Sequence, residues 1–233
     1  IYEIIKENNS TKRNIAYGNF LLSRYELKGK NYKKEFNYLL EGHHNYFESQ
    51  SNQYKKQVKY WLNVLPNTKK LANLNKASKR IKKNTTKINP IFIIGVPRCG
   101  STLVEKVIIS GAKYIPVGEE TEILNFFIKQ KIQQKQLQKI NIENLKKKII
   151  TKYEEKGLIQ KTSDYTFTDK SLDNFFYINL IKEIFPNAKV INCKRNPLSC
   201  VISILKNNIT GLAWAHNLEH IIRYLDIYYR MIE

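Results

Sequence analysis

The sequence predicts an α/β domain, a parallel sheet flanked by helices, behind a helical N-terminal module. Three observations carry this. Ile91 to Ile94 is an unbroken apolar run after Pro90, as in a strand covered on both faces, and a short glycine-flanked loop leads from it into a helix. Lys189 to Cys193 (KVINC) reads as a second buried strand that follows a helical stretch, the pattern of a parallel crossover. Residues 1–85 hold a single proline, Pro66, and repeat apolar residues at helical spacing.

The loop is the most informative stretch. Gly95 and Gly100 bracket Val-Pro-Arg-Cys, and Ser101-Thr102 open a helix carrying Leu103, Val104, Val107 and Ile108. A loop entering a helix in this way aims several backbone N–H groups and the positive end of the helix dipole at one spot, which suits a phosphate. The Gly-x-x-x-x-Gly spacing is that of a P-loop, but Ser101 stands where a nucleotide kinase has its lysine, and the cation is Arg98 inside the loop. A plain glycine turn and a P-loop kinase are the competing readings of this stretch.

Composition bounds the rest. At 233 residues, 42% hydrophobic and 12% aromatic, the chain folds around a core and is not a disordered polymer. Forty Lys and Arg against twenty Asp and Glu give a formal charge of +20, which attracts nucleic acid, anionic lipid or small anions. The excess is spread along the chain, so it reads as a solvated surface with a local anion site, and no specific nucleic-acid partner is expected. Cys99, Cys193 and Cys200 have no metal-ligand spacing and cannot all pair, which points to a reducing, cytoplasmic setting. Cys99 lies in the loop beside Arg98, and no chemistry is assigned to it. No run approaches the roughly 18 apolar residues of a membrane span. The chain opens on Ile1 and ends inside a helical pattern at Glu233, the expected look of a C-terminally incomplete piece.

In chain order, Ala16, Phe20, Leu21, Tyr25 and Leu27 make one amphipathic helix. Gly29 turns the chain, and Tyr32, Phe36, Leu39 and Leu40 make the next. The hairpin Tyr17 to Tyr46 resembles one degenerate tetratricopeptide-like unit, which cannot bury its own face and packs on the following domain, on upstream repeats or on a protein partner. His43 and His44 point to different helix faces and read as a surface pair. Tyr54 to Leu74 continues as helix around Val58, Trp61, Leu62 and Leu65, broken by Pro66. The basic run Lys76 to Lys87 reads as a linker, which divides the chain into a module at 1–85 and a domain at 86–233.

Past the loop, Tyr114-Ile115 is strand-like, and Gly118 leads into Glu119-Glu120-Thr121 at a helix start. There the acidic residues complement the helix dipole or supply a base. Two helices fill 122–158. Thr168-Asp169-Lys170-Ser171 precedes a helix carrying Phe175, Phe176, Leu180, Ile181 and Ile184. The second strand then turns at Arg195-Asn196-Pro197 into a helix that holds Ser203. Arg195, at a strand's C-terminal end, lies where open α/β sheets bind ligands.

Together, Pro97-Arg98-Cys99-Gly100-Ser101-Thr102 and Arg195-Asn196-Pro197 with Ser203 resemble the two signatures of sulfotransferases that use 3′-phosphoadenosine-5′-phosphosulfate (PAPS). The nearest branches are the tetratricopeptide-linked bacterial enzymes and the tyrosylprotein sulfotransferases. The resemblance implies that residues 97–102 hold the 5′-phosphosulfate, with Arg98 on the transferred group, and that Arg195 and Ser203 hold the 3′-phosphate. It also implies Glu120 as the base, with Glu119 as alternative, and Lys170 as a second cation. It implies no metal. The product would be 3′-phosphoadenosine 5′-phosphate (PAP), and the acceptor a hydroxyl on tyrosine, carbohydrate or a small alcohol. The rivals are a P-loop kinase and a non-catalytic helical-repeat or basic binding protein.

Overall fold

A computed structural model describes residues 10–68, 88–111, 114–137, 140–159 and 165–233; the predicted linker at 76–87 lies outside them. The chain forms two compact units. One contains Thr68–Arg195, and the other joins the N-terminal helices to Asn196–Met231.

In the helical unit, α1 (Lys12–Lys28) starts at Thr11, whose side chain accepts a hydrogen bond from the Asn14 amide at 3.2 Å. After the turn at Gly29 come α2 (Tyr32–Glu48) and α3 (Ser51–Lys59), which runs into a π-helical turn at Tyr60–Val64 just before Pro66. The predicted face of α1 is buried only in part: Ala16 lies in the core and Phe20 packs against it. Leu21, Tyr25 and Leu27 are exposed, and the inner stripe is Ala16, Asn19, Leu22, Ser23 and Glu26. Its polar members are satisfied locally. Asn19 Nδ2 donates to Ile15 O, Ser23 Oγ donates to Phe20 O, and Glu26 Oε2 accepts from Asn31 Nδ2 at 2.7 Å. Gly42 explains the close approach of α2, since a Cβ there would sit 2.7 Å from the Phe20 ring.

The same unit holds α8 (Pro197–Lys206), with proline in its first turn and Asn196 as cap, a 3₁₀ turn at Ala213–His216, and α9 (Leu218–Ile232). Ala16, Tyr46, Tyr54 and Ala213 form its core cluster. The expectation of a surface pair at His43-His44 fails for His43, which is buried. Its Nδ1 lies 3.0 Å from His216 Nδ1 and its Nε2 is 2.8 Å from Leu205 O.

In the other unit, β1 (Ile91–Gly95) is central, with β2 (Thr168–Asp169) and β3 (Lys189–Cys193) parallel on either side in the order β2-β1-β3. All five residues of β1 are buried, as the apolar run predicts. The prediction of a buried second strand holds only at the end of β3. Lys189 and Val190 are exposed and Cys193 is buried, because among the described residues β3 pairs with β1 alone. Tyr114-Ile115 forms no strand; a single bridge from Val117 to Thr168 replaces it. The flanking helices are α4 (Ser101–Ser110), α5 (Ile123–Gln133), α6 (Ile142–Glu155) and α7 (Ile178–Ile184), the last entered through a 3₁₀ turn at Leu172–Tyr177. α4 is rotated from its predicted face: Leu103 and Val107 are exposed, while Ser101 and Glu105 are buried.

Candidate active site

Parallel strands end at one edge of a sheet, so whatever follows their last residues is gathered there. Gly95 is in register with Cys193, and Phe92 with Asp169. The loop with Arg98 follows β1, Lys170 follows β2, and Arg195 lies just beyond β3. The loop turns tightly, the Cys99 amide donating to Val96 O at 3.2 Å. Two of its residues take left-handed backbone, Arg98 at φ 70° and Gly100 at φ 99°. Glycine adopts this freely, whereas for arginine it costs on the order of 1 kcal/mol. Gly100 starts α4 without a side-chain cap, and its carbonyl accepts from the Leu103 and Val104 amides, so the Ser101 and Thr102 amides are the ones nearest the loop's mouth. A Cβ on Gly100 would meet nothing within 4 Å, so that mouth is open to close backbone approach. Arg195 Nη1 donates to Arg98 O at 3.0 Å, tying the two signatures together.

Lys170 is not a surface lysine. Its ammonium is buried 3.6 Å from Glu105 Oε2, and Glu105 Oε1 accepts from Thr168 Oγ1 at 2.7 Å. This network accounts for the rotation of α4, because a charge as deep as Lys170 needs a partner. Thr168 Oγ1 in turn accepts from the Gly118 amide, and a Cβ on Gly118 would lie 2.1 Å from Thr168 O. Only glycine fits there. The segment beside β2 is held further by Thr168 N to Pro116 O at 3.0 Å and Lys170 N to Glu119 O at 2.6 Å. That pairing fixes Glu119 and Glu120 next to Lys170 in the chain path, both exposed, with Glu119 at φ 50°.

Asp169 is fully buried and accepts from Thr121 Oγ1 and Tyr153 OH at 2.6 Å each, from the Ser171 amide at 2.9 Å and from Asn174 Nδ2 at 3.3 Å. Burial, with the charge of Asp169 beside it, holds the Tyr153 hydroxyl well above its ordinary pKa. Asp173 is pushed up to about 7, first by burial and then by the charges of Glu122, Asp169 and Glu120, and its Oδ2 is buried without a hydrogen bond. Sequence reasoning missed Glu105, Thr168 and Asp173. A glutamate among Leu103, Val104, Val107 and Ile108 was the one available signal for Glu105. Ser203 is on α8 of the helical unit, half-buried, with its carbonyl accepting from Asn207 Nδ2 at 2.7 Å.

Comparison with known proteins gives the family. The sulfotransferase family model matches residues 90–233. An uncharacterized protein of Aquifex aeolicus (strain VF5) is 32% identical over 139 residues, which is 52% of this chain and 17% of that protein. The chain thus spans less than a fifth of the length of this curated relative. No solved structure matches it. With the family match running unbroken from Pro90 through both signatures to Glu233, the chain belongs to the sulfotransferase family.

Proposed function

We propose that this chain carries out sulfuryl transfer from PAPS to an acceptor hydroxyl. The observation that supports this best is the hydrogen bond from Arg195, just past the end of β3, to the carbonyl of Arg98 in the loop after β1, with Lys170 following β2 in the same sheet. Two guanidinium groups, a buried ammonium and open helix-start amides make a donor set suited to sulfate and phosphate oxygens. The Val96–Gly100 loop then serves as the 5′-phosphosulfate loop, with Pro97, Cys99 and Thr102 shaping it, and Gly100 and Ser101 offering amides. Arg195 and Ser203 hold the 3′-phosphate. The donor supplies the sulfuryl group.

Arg98 and Lys170 stabilise negative charge as it develops on the transferred group and the leaving phosphate. Glu105 keeps the Lys170 ammonium in one place. Glu120 takes the acceptor's proton as general base, with Glu119 as the second choice. The acceptor is a hydroxyl on tyrosine, carbohydrate or a small alcohol, and the helical hairpin offers a surface to a protein partner. Three cysteines free in the structure suit a cytoplasmic setting.

Calorimetric titration with PAP, using ATP and AMP as comparisons, tests the reading. Selective PAP binding that weakens about tenfold or more in Arg195→Ala is expected from loss of a charged hydrogen-bond fork. Arg98→Ala should slow sulfuryl transfer about a hundredfold in a protein that still folds. A preference for ATP, or no PAP binding by this chain and by a C-terminally extended one, would reject it.

A further inference from the structure

Two of the three cysteines meet at the base of the loop. Gly95 is in register with Cys193 across the β1–β3 ladder. A Cβ on Gly95 would lie 2.9 Å from Cys99 Sγ and 3.5 Å from Cys193 Cβ, so the Cys99 side chain folds back over Gly95 toward Cys193. Gly95 has no side chain to separate them. Both thiols are free, with Cys99 8% and Cys193 6% exposed. Burial, reinforced by the neighbouring Cys99 thiol, pushes Cys193 up to about 11. The backbone is already drawn together on this side, since Arg195, two residues after Cys193, bonds the carbonyl of Arg98, one residue before Cys99.

We propose that Cys99 and Cys193 are a redox site, a thiol pair that a hydroperoxide converts to a disulfide, clamping the loop to the end of β3. The Cys99 sulfur takes an oxygen from hydrogen peroxide as the O–O bond breaks, which gives a sulfenic acid and one water. The Cys193 sulfur then displaces the hydroxyl, which leaves with the Cys193 proton as a second water, and the S–S bond forms. Two thiols lose two electrons and two protons, and one peroxide becomes two waters. In a reducing compartment such a bond is transient and regulatory rather than a structural staple. Cys200, fully buried on α8 of the other unit, serves as an internal reference.

The test uses the intact chain, treated with hydrogen peroxide, alkylated, digested and mapped by mass. The expected result is a Cys99–Cys193 linked peptide that dithiothreitol reverses, with Cys200 still alkylated. Amide hydrogen exchange over Cys99–Val104 should slow about tenfold on oxidation, as expected for a restrained local opening. Cys193→Ser should abolish both changes. Three surviving thiols, a link through Cys200, or a Cys99–Cys193 link with unchanged exchange would overturn the proposal. Neither readout needs donor or acceptor, so the result stands apart from the sulfuryl-transfer reading.

Discussion

Each unit buries polar groups at its centre, and the two satisfy them differently. In the helical unit, His43 Nε2 faces the Leu205 carbonyl, which can only accept, so that nitrogen carries the proton. His43 Nδ1 is then a lone pair, and His216 Nδ1 must donate to it across 3.0 Å. The pair is held neutral, with His216 stacked on Tyr46 and Tyr54 at 4.6 and 5.4 Å between ring centres. In the sheet unit, Asp169 is surrounded by four donors, and Lys170 faces Glu105. Burial disfavours charge where only rings and one carbonyl are at hand, whereas the buried carboxylate and ammonium of the sheet unit have donors or a counter-ion within reach. Arg98, Lys170 and Arg195 all belong to the sheet unit.

The sharpest way to break this contrast is to remove the carboxylate with the most partners. Asp169→Ala leaves the Thr121 and Tyr153 hydroxyls, the Ser171 amide and the Asn174 amide without their acceptor. A loss of about 4 kcal/mol in stability is expected, since each buried donor left unsatisfied costs about 1–3 kcal/mol and part of that is recovered by relaxation. Chemical denaturation followed by circular dichroism measures it; a loss under 1 kcal/mol would mean that the network does not hold the unit together. Glu105→Gln comes next, at about 3 kcal/mol, because it leaves the Lys170 ammonium buried without a counter-charge. Adding Lys170→Met should restore most of that loss, as replacing both members of a buried pair often does. A double variant no more stable than Glu105→Gln would show that the pair's charge is not the issue.

These sites also mark where sequence was readable. β1 and its loop were legible because an apolar run and paired glycines are local features that no distant contact has to complete. The helices at Ile123–Gln133 and Ile142–Glu155 were legible from the same kind of evidence. β2 was not, since two residues carry no periodicity and Thr168-Asp169 becomes a strand only by pairing with Ile91 and Phe92. The inner face of α4, and all of that of α1 but Ala16 and Phe20, differ from the apolar pattern because hydrophobicity is not the sole reason for burial. Glu105 and Glu26 go inward to meet Lys170 and Asn31, partners that lie outside their own helices. His43 escaped for the same reason, its partners being 173 and 162 positions away. At the candidate site, Arg98 and Arg195 could be named from the sequence, but their joining through a carbonyl could not.

The smallest expected effect sharpens the other side of the comparison. Burial lowers the pKa of both His43 and His216, and the neighbouring His43 contributes to bringing His216 to about 3. Their folded values lie below the ordinary 6.5, so the stabilisation is fully present above that pH and is lost as pH falls below it. Between pH 7 and 5.5 the loss should be about 1 kcal/mol from His216, with His43 adding in the same direction, because the unfolded chain takes up protons that the folded pair refuses. Both tryptophans, Trp61 and Trp214, belong to the helical unit, and Trp214 stacks on Tyr224 at 3.9 Å, so tryptophan fluorescence in urea reports this unit selectively. His216→Phe keeps the stack on Tyr46 and Tyr54 while removing the histidine with the largest shift, and its pH slope should be shallower than the wild type's, with His43 and His220, both also lowered by burial, supplying what remains. A wild-type urea midpoint unchanged from pH 7 to 5.5 would mean that the pair accepts a proton without opening, and that the neutral assignment is wrong.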